Sequence, residues 1–125
     1  MARFILVGLV EPRSEDQQDL FDKWYLDQHI YDTALCPNFL SGTVYKLVGK
    51  HGDGDTVADY LAIYEVNADS YEEAERVLNA WQRDPTAWEG RVSHNKTLQD
   101  APGAMPLKVN GSGWYEFERA YHTRG

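Results

Sequence analysis

The sequence has little of what several protein classes require. It contains one cysteine, Cys36, so a disulfide within the chain is impossible. This cysteine usage favours a reducing compartment, and we expect a cytoplasmic protein. There is no run of Lys or Arg, and the net charge is −8. Such a charge disfavours nucleic acid and anionic membrane surfaces as partners, because both are bound by basic patches.

The sequence also lacks the spacings of metal and nucleotide sites. Its histidines are His29, His51, His94 and His122. They are far apart, and no HxH, HExxH or CxxC motif is present. No glycine-rich loop leads into a helix, as a dinucleotide site requires. No Ser or Cys stands in a nucleophile motif. We therefore expect neither a metal nor a cofactor.

One apolar run, residues 4–10, is too short to span a membrane, and no small-residue cleavage site follows it. We interpret it as a buried strand. The 125 residues are 42% hydrophobic and 13% aromatic, which is enough to build a packed core. The length predicts a single domain over residues 1–125.

The hydrophobic patterns predict the element order β-α-β-β-α-β. Strands are expected at residues 2–10, 39–48, 58–67 and 113–122. The first helix is expected to begin at Ser14 or Asp16 and end near Leu35, before Pro37. The second is expected to begin at Asp69 or Ser70 and end near Gln82. A further helical turn is predicted from Asp84-Pro85, and residues 98–113, rich in Gly and Pro, are predicted to form a long loop.

This order is typical of the ferredoxin-like α+β fold, a four-stranded antiparallel sheet with two helices on one face. The strands at 2–10 and 58–67 are apolar on both alternating sides, so both of their faces are expected to be buried. The helices cover one face only. We expect the sheet of a second copy to cover the other, which predicts a symmetric homodimer.

The first helix carries the most informative pattern. At about 100° per residue, one apolar stripe is made of Leu20, Phe21, Trp24, Tyr31 and Leu35. Tyr25 and His29 are four residues apart on the flank of this stripe, so their side chains are expected to be neighbours.

The segment Phe21-Asp-Lys-Trp-Tyr-Leu-Asp-Gln-His29, followed by Pro37-Asn38-Phe39, resembles the EthD-like branch of the dimeric α/β-barrel superfamily. Members look like Phe-x-x-Trp-Tyr-x-x-x-His on the first helix, with Pro-x-Phe leading into the second strand. The similarity covers about half of the chain, and the long 98–113 segment departs from the shorter members. In the resembling polyketide cyclases, a histidine and a tyrosine line a cleft between the helices and the sheet of each subunit.

Three residues are candidates for catalysis. His29 has a side chain that can take and give a proton near neutral pH, unless it is a structural histidine bonded to the backbone. Tyr25 matches the tyrosine of the resembling family. Tyr64, in the middle of the third strand, has a hydroxyl that can stabilise an oxygen anion in an apolar cleft. Both tyrosines have the alternative of being core aromatics.

Six further residues are candidates for substrate binding: Trp24, Asp32, Tyr45, Trp81, Trp88 and His94. Asp32 either orients an imidazole or is a solvated residue of the last helical turn. Trp81 and Trp88 either form the far wall of the cleft or fill the core. His94 is a second candidate acid or base.

Two functions fit these residues. The first is a cofactor-independent lyase, isomerase or cyclase that moves a proton next to the carbonyl of a small apolar, aromatic or polyketide-like compound. The second is a non-catalytic protein that binds a small molecule or assists an enzyme of a degradation or biosynthetic pathway. EthD-like proteins are also known as such companions.

Overall fold

A computed structural model of the chain describes residues 1–83 and 106–123. The strands are β1 (Ala2–Pro12), β2 (Phe39–Lys46), β3 (Tyr60–Ala68) and β4 (Leu107–Glu116). The first helix comprises a 3-10 turn (Glu15–Gln17), an α-helical turn (Gln18–Phe21), a π-helical segment (Asp22–His29) and a final α-helical part (Ile30–Ala34). The second helix is Tyr71–Arg83. It begins after Ser70, whose hydroxyl accepts a hydrogen bond from the Glu73 amide at 3.2 Å.

The four strands form one antiparallel sheet in the order β2-β3-β1-β4. Leu6 at the centre of β1 lies opposite Tyr64 of β3 and Trp114 of β4. With one helix between β1 and β2 and another between β3 and β4, this is the predicted ferredoxin-like α+β fold, which is confirmed. The architecture is consistent with a dimeric α/β barrel.

The two faces of β1 differ in their surroundings. Phe4 and Val10 point toward the helices and are buried in a core that includes residues of both helices and of β3. Ile5, Val7 and Leu9 alternate with them and are half-buried on the other face. The described residues thus leave an apolar sheet face that no helix covers.

The buried stripe of the first helix shifts along its length. Trp24 is buried as expected, but Tyr31 and Leu35 are 65% and 49% exposed, so their prediction as core residues is wrong. Ile30 and Thr33 are buried in their place. A π-helix has i→i+5 hydrogen bonds and takes more residues per turn than an α-helix. The residues that follow the π-helical segment are therefore rotated relative to the α-helical pattern used for the prediction.

The last strand also differs from its prediction. β4 begins at Leu107 and ends at Glu116, six residues earlier at each end than the predicted 113–122. Gly111 and Gly113, which suggested a loop, lie within the strand opposite Leu9 and Val7. A side chain added at Gly111 would make an ordinary van der Waals contact with Leu9 at 3.5 Å, so the strand has room for a residue other than glycine at this position. The predicted turn at 84–85 and residues 98–105 lie outside the described residues.

None of the helices within residues 1–83 and 106–123 has the length and apolar character needed to cross a lipid bilayer.

Candidate functional site

A cleft of about 280 Å³ lies between the helices and the inner face of the sheet. Its apolar walls come from β1, β4 and the second helix, and include Leu6, Val10, Leu78 and Val109. Its polar groups come from the first helix, β3, β4 and the second helix. A cleft with apolar walls and a few converging polar groups is the usual form of a small-molecule site.

The three predicted catalytic residues, Tyr25, His29 and Tyr64, all line this cleft. Tyr25 and His29 are stacked, with ring centroids 5.4 Å apart and 27° between the ring planes. Phe21 stacks on the other side of Tyr25 at 5.0 Å, so rings at a spacing of four form a continuous stack along the helix. This packing fixes the orientation of the half-buried imidazole.

The π-helical segment gives His29 a second aromatic contact. The centroids of Trp24 and His29 are 4.8 Å apart. In an α-helix, residues five apart point about 140° away from each other, so this contact would not form. The i→i+5 hydrogen bonds of the π-helical segment align the two residues instead. The imidazole is thereby held against both Trp24 and Tyr25.

Three hydroxyl groups form a hydrogen-bonded chain beside the stack, from Thr33 through Tyr64 to Tyr25. The hydrogen bond with Thr33 lowers the pKa of Tyr64. The hydrogen bond between the two tyrosines raises the pKa of Tyr64 and lowers that of Tyr25. Tyr25 lies at the end of this chain and lines the cleft, where its hydroxyl can meet a ligand.

Burial keeps both phenols protonated. Desolvation raises the pKa of Tyr25 to about 12, although the hydrogen bond with Tyr64 opposes the rise. Desolvation, followed by the proximity of Tyr25, raises the pKa of Tyr64 still further above its ordinary value. At neutral pH both groups are therefore neutral hydrogen-bond donors. Gly8 leaves space above them, since a side chain at this position would lie 4.0 Å from the Tyr25 hydroxyl.

The rim of the cleft is polar and was not predicted from the sequence. Glu75 and Asn79 of the second helix line it, together with Gln82. The Trp114 indole donates to the Glu75 carboxylate at 2.6 Å, and the Asn79 amide donates to its other oxygen at 3.5 Å. The spacing of 75, 79 and 82 on one face of an amphipathic helix is the sequence pattern that indicates this rim. Thr33 likewise continues the four-residue spacing of Tyr25 and His29.

The other predicted binding residues lie elsewhere. Trp24 is in the core, where it contacts His29 from behind. Asp32 is buried at the end of the first helix, and its backbone carbonyl accepts a hydrogen bond from the Trp81 indole at 3.0 Å. That bond connects the two helices, and neither residue lines the cleft. Trp88 and His94 lie outside the described residues.

Tyr45 is on β2, which is an edge strand of the sheet. It lies opposite Leu61, on the sheet face turned away from the helices, and is 58% exposed. It borders a separate groove with Asp22 and Leu26. The structure does not bring Tyr45 together with His29.

In the part of the chain that the structure describes, no three His, Cys, Asp or Glu side chains are grouped so that they could hold a metal ion. Among the described residues that line the cleft, the chemistry available is that of one imidazole, four hydroxyls, two carboxamides and a carboxylate at the rim.

Fold and cleft together define a small ferredoxin-like α+β domain with a ligand-sized space between its helices and its sheet. Among solved structures, the chain is similar to the crystal structure of HapK from Hahella chejuensis. The TM-score is 0.56 and the sequence identity 10%, over 98% of this chain and 99% of that chain. At this identity the likeness establishes the fold. No family model and no curated protein matches the sequence, so the EthD-like resemblance stays a prediction.

Proposed function

We propose that the protein is a cofactor-independent enzyme of the lyase, isomerase or cyclase type. Its substrate would be a small, largely apolar, aromatic or polyketide-like carbonyl compound. The observation that carries the proposal is the convergence of the His29 imidazole and the Tyr25 and Tyr64 hydroxyls on one apolar cleft. A reducing compartment suits a chain with a single cysteine, and we place the enzyme in the cytoplasm.

In the proposed reaction, the neutral His29 imidazole removes a proton from the carbon next to the substrate carbonyl. The C–H electron pair moves into the carbon–carbon bond, and the carbonyl oxygen becomes an enolate. The Tyr25 hydroxyl donates a hydrogen bond to this oxygen, and the chain behind it, from Thr33 through Tyr64, strengthens that donor. The imidazolium then returns its proton to another carbon or to a leaving group.

Deuterium exchange tests the proton transfer without knowledge of the natural substrate. 1-Tetralone is an apolar two-ring ketone whose C2 protons are acidified by its carbonyl. In D2O, the wild-type protein is expected to accelerate exchange at C2, as followed by NMR. His29→Gln is expected to lose about 10²-fold or more of this rate, the usual contribution of a general base. Tyr25→Phe is expected to lose about 10²-fold, as on removal of an oxyanion donor.

The matched control is His51→Gln, which removes an exposed histidine in the loop between β2 and β3. It is expected to exchange like the wild type. Circular dichroism and thermal unfolding establish that each variant is folded. Binding of 1-tetralone without accelerated exchange in the wild type would contradict the enzyme proposal and favour the alternative, a non-catalytic ligand-binding or accessory protein.

We also propose that the functional unit is a homodimer joined through the open sheet face. Ile5, Leu40, Tyr115 and Phe117 border a groove of about 400 Å³ there. Leu40 and Tyr115 are 60% and 59% exposed in the single chain. Exposed apolar surface of this kind is typical of an interface, and a second sheet of the same shape would cover it.

Sedimentation equilibrium tests the dimer. The wild type is expected to have twice the mass of one chain, and the Leu40→Lys/Tyr115→Lys variant the mass of one chain. Both substituted residues are exposed, so the fold is expected to persist. Tyr71→Lys, at an exposed position on the second helix, is the control and is expected to remain a dimer. A wild type that sediments as a single chain at micromolar concentration would exclude this assembly.

A further inference from the structure

The charge at the mouth of the cleft indicates which ligands it admits. Within the described residues that line it, Glu75 provides the single carboxylate, and no Lys or Arg is present. The whole chain is acidic as well, with a net charge of −8. A carboxylate at the entrance repels anions and favours neutral or cationic molecules.

The Glu75 carboxylate is held in place rather than freely mobile. Its two oxygens accept hydrogen bonds from the Trp114 indole, at 2.6 Å, and from the Asn79 amide, at 3.5 Å. Trp114 is fixed in turn by its edge-to-face contact with Phe39 at 6.3 Å. These contacts connect β4 and the second helix, so the carboxylate keeps its position at the rim. A fixed acceptor confers more specificity than a mobile one, since less conformational entropy is lost when a ligand binds.

The two ends of the cleft therefore suit different functional groups of a ligand. The inner end presents the Tyr25 hydroxyl as a donor, which suits a ligand carbonyl. The rim presents Glu75 as an acceptor, beside the polar amides of Asn79 and Gln82. The walls between them are apolar. A volume of about 280 Å³ is at the small end of the range for ligand sites, which suits a compound of one or two rings.

We propose that Glu75 is a specificity-determining residue that selects a neutral or cationic ligand with a hydroxyl or amino group at the end remote from its carbonyl, and that rejects carboxylates. This inference rests on the proposed function insofar as the ligand occupies the same cleft. It adds the polarity and charge of the substrate, which the proposed reaction leaves open.

Two matched probes test this selection. 6-(Hydroxymethyl)-1-tetralone carries a neutral donor, and 1-tetralone-6-carboxylate carries an anion of similar size at the same position. Isothermal titration calorimetry at pH 7.5 measures both affinities. The wild type is expected to bind the hydroxymethyl compound about tenfold or more tightly than the carboxylate, because like charges brought together in a cleft repel strongly. In Glu75→Gln this ratio is expected to fall toward one, mainly through tighter binding of the carboxylate.

Glu72→Gln is the control, because it removes the same charge from an exposed position on the same helix that does not line the cleft. It is expected to keep the wild-type ratio. The proposal is overturned if the wild type binds the carboxylate as tightly as the hydroxymethyl compound, if it binds neither, or if the two glutamate variants change the ratio equally. Selective binding without deuterium exchange would instead count against the proton-transfer reaction alone.

Discussion

The Tyr25 and Tyr64 hydroxyls are hydrogen-bonded to each other, which connects the middle of β3 to the π-helical segment of the first helix. Both phenols are buried, and both have a raised pKa. The pair therefore contributes to the stability of the fold as well as to the chemistry of the cleft. The predictions below separate these two roles.

Stability is expected to fall at alkaline pH because of this pair. In the unfolded chain each phenol ionises at its ordinary pKa of about 10. In the folded state it stays protonated above this pH. The folded state then holds more protons, so the stabilisation is complete below pH 10 and is lost as pH rises toward the folded pKa, about 12 for Tyr25. The free energy of unfolding is expected to fall by about 1.4 kcal/mol per pH unit for each phenol.

Urea unfolding of the wild type and of the Tyr25→Phe/Tyr64→Phe variant between pH 9 and 11.5 measures this effect. The variant is expected to show a shallower loss of stability above pH 10. Tyr71→Phe, at an exposed position, serves as the control and is expected to follow the wild type. Equal slopes in the wild type and the double variant would show that the raised pKa values are wrong.

Thr33→Val removes one hydroxyl of the chain with little change in shape. A loss of about 1–2 kcal/mol of stability is expected, because the buried Tyr64 hydroxyl loses a partner. Deuterium exchange of 1-tetralone is expected to slow as well, by less than in Tyr25→Phe. Thr56→Val, at an exposed position in the loop between β2 and β3, is the control. An unchanged exchange rate with reduced stability would assign Thr33 a structural role only.

Gly42→Ala is expected to disturb the packing of Tyr64, which lines the cleft. A Cβ at this position would lie 3.1 Å from the Tyr64 ring and 3.1 Å from the Ala34 side chain. One of these neighbours must shift, and such overpacking typically costs about 1–3 kcal/mol. Chemical denaturation measures the loss. Gly49→Ala is the matched control, since a Cβ there meets no atom within 4 Å. A denaturation midpoint of Gly42→Ala equal to that of the wild type would contradict the tight packing described for Tyr64.

Gly8→Ala is expected to act on the ligand rather than on the fold. Its Cβ would make ordinary contacts at 3.9 Å with Ala62 and Val10 and would lie 4.0 Å from the Tyr25 hydroxyl. Stability is expected to stay within about 1 kcal/mol of the wild type, because replacing glycine also reduces the entropy of the unfolded chain. Affinity for 1-tetralone, measured by calorimetry, is expected to fall because the methyl group occupies the space above Tyr25. Unaltered affinity would place the ligand carbonyl elsewhere.

Much of the fold could be predicted from periodicity, because most of the strands and the second helix follow regular patterns. The start of β4 could not, since Gly111 and Gly113 suggest a loop and their pairing with Leu9 and Val7 depends on the tertiary fold. The proximity of Tyr25 and His29 follows from their spacing. The Trp24–His29 contact does not, because nothing in the residue types of this helix distinguishes i→i+5 from i→i+4 hydrogen bonding.

The site was predicted where its residues share one helix and missed where it depends on tertiary contacts. Glu75 belongs to an acidic stretch that suggests only a solvated surface, and its role at the rim depends on Trp114, 39 residues further along the chain. Tyr45 was expected near the cleft because the strand order was unknown. Its edge position follows from the pairing of β2 with β3 alone among the described strands.

The π-helical segment fixes the number of residues that the first helix needs between Tyr25 and Thr33. Gaining or losing one residue between Tyr25 and Thr33 would rotate everything beyond it and move Thr33 away from Tyr64, although every side chain of the cleft would still be present. Substitutions at an exposed position such as Asp27 carry no such penalty. Relatives that retain this cleft are therefore expected to vary freely at the exposed positions of this segment and hardly at all in its length, so insertions and deletions, more than substitutions at those positions, would mark a change of function.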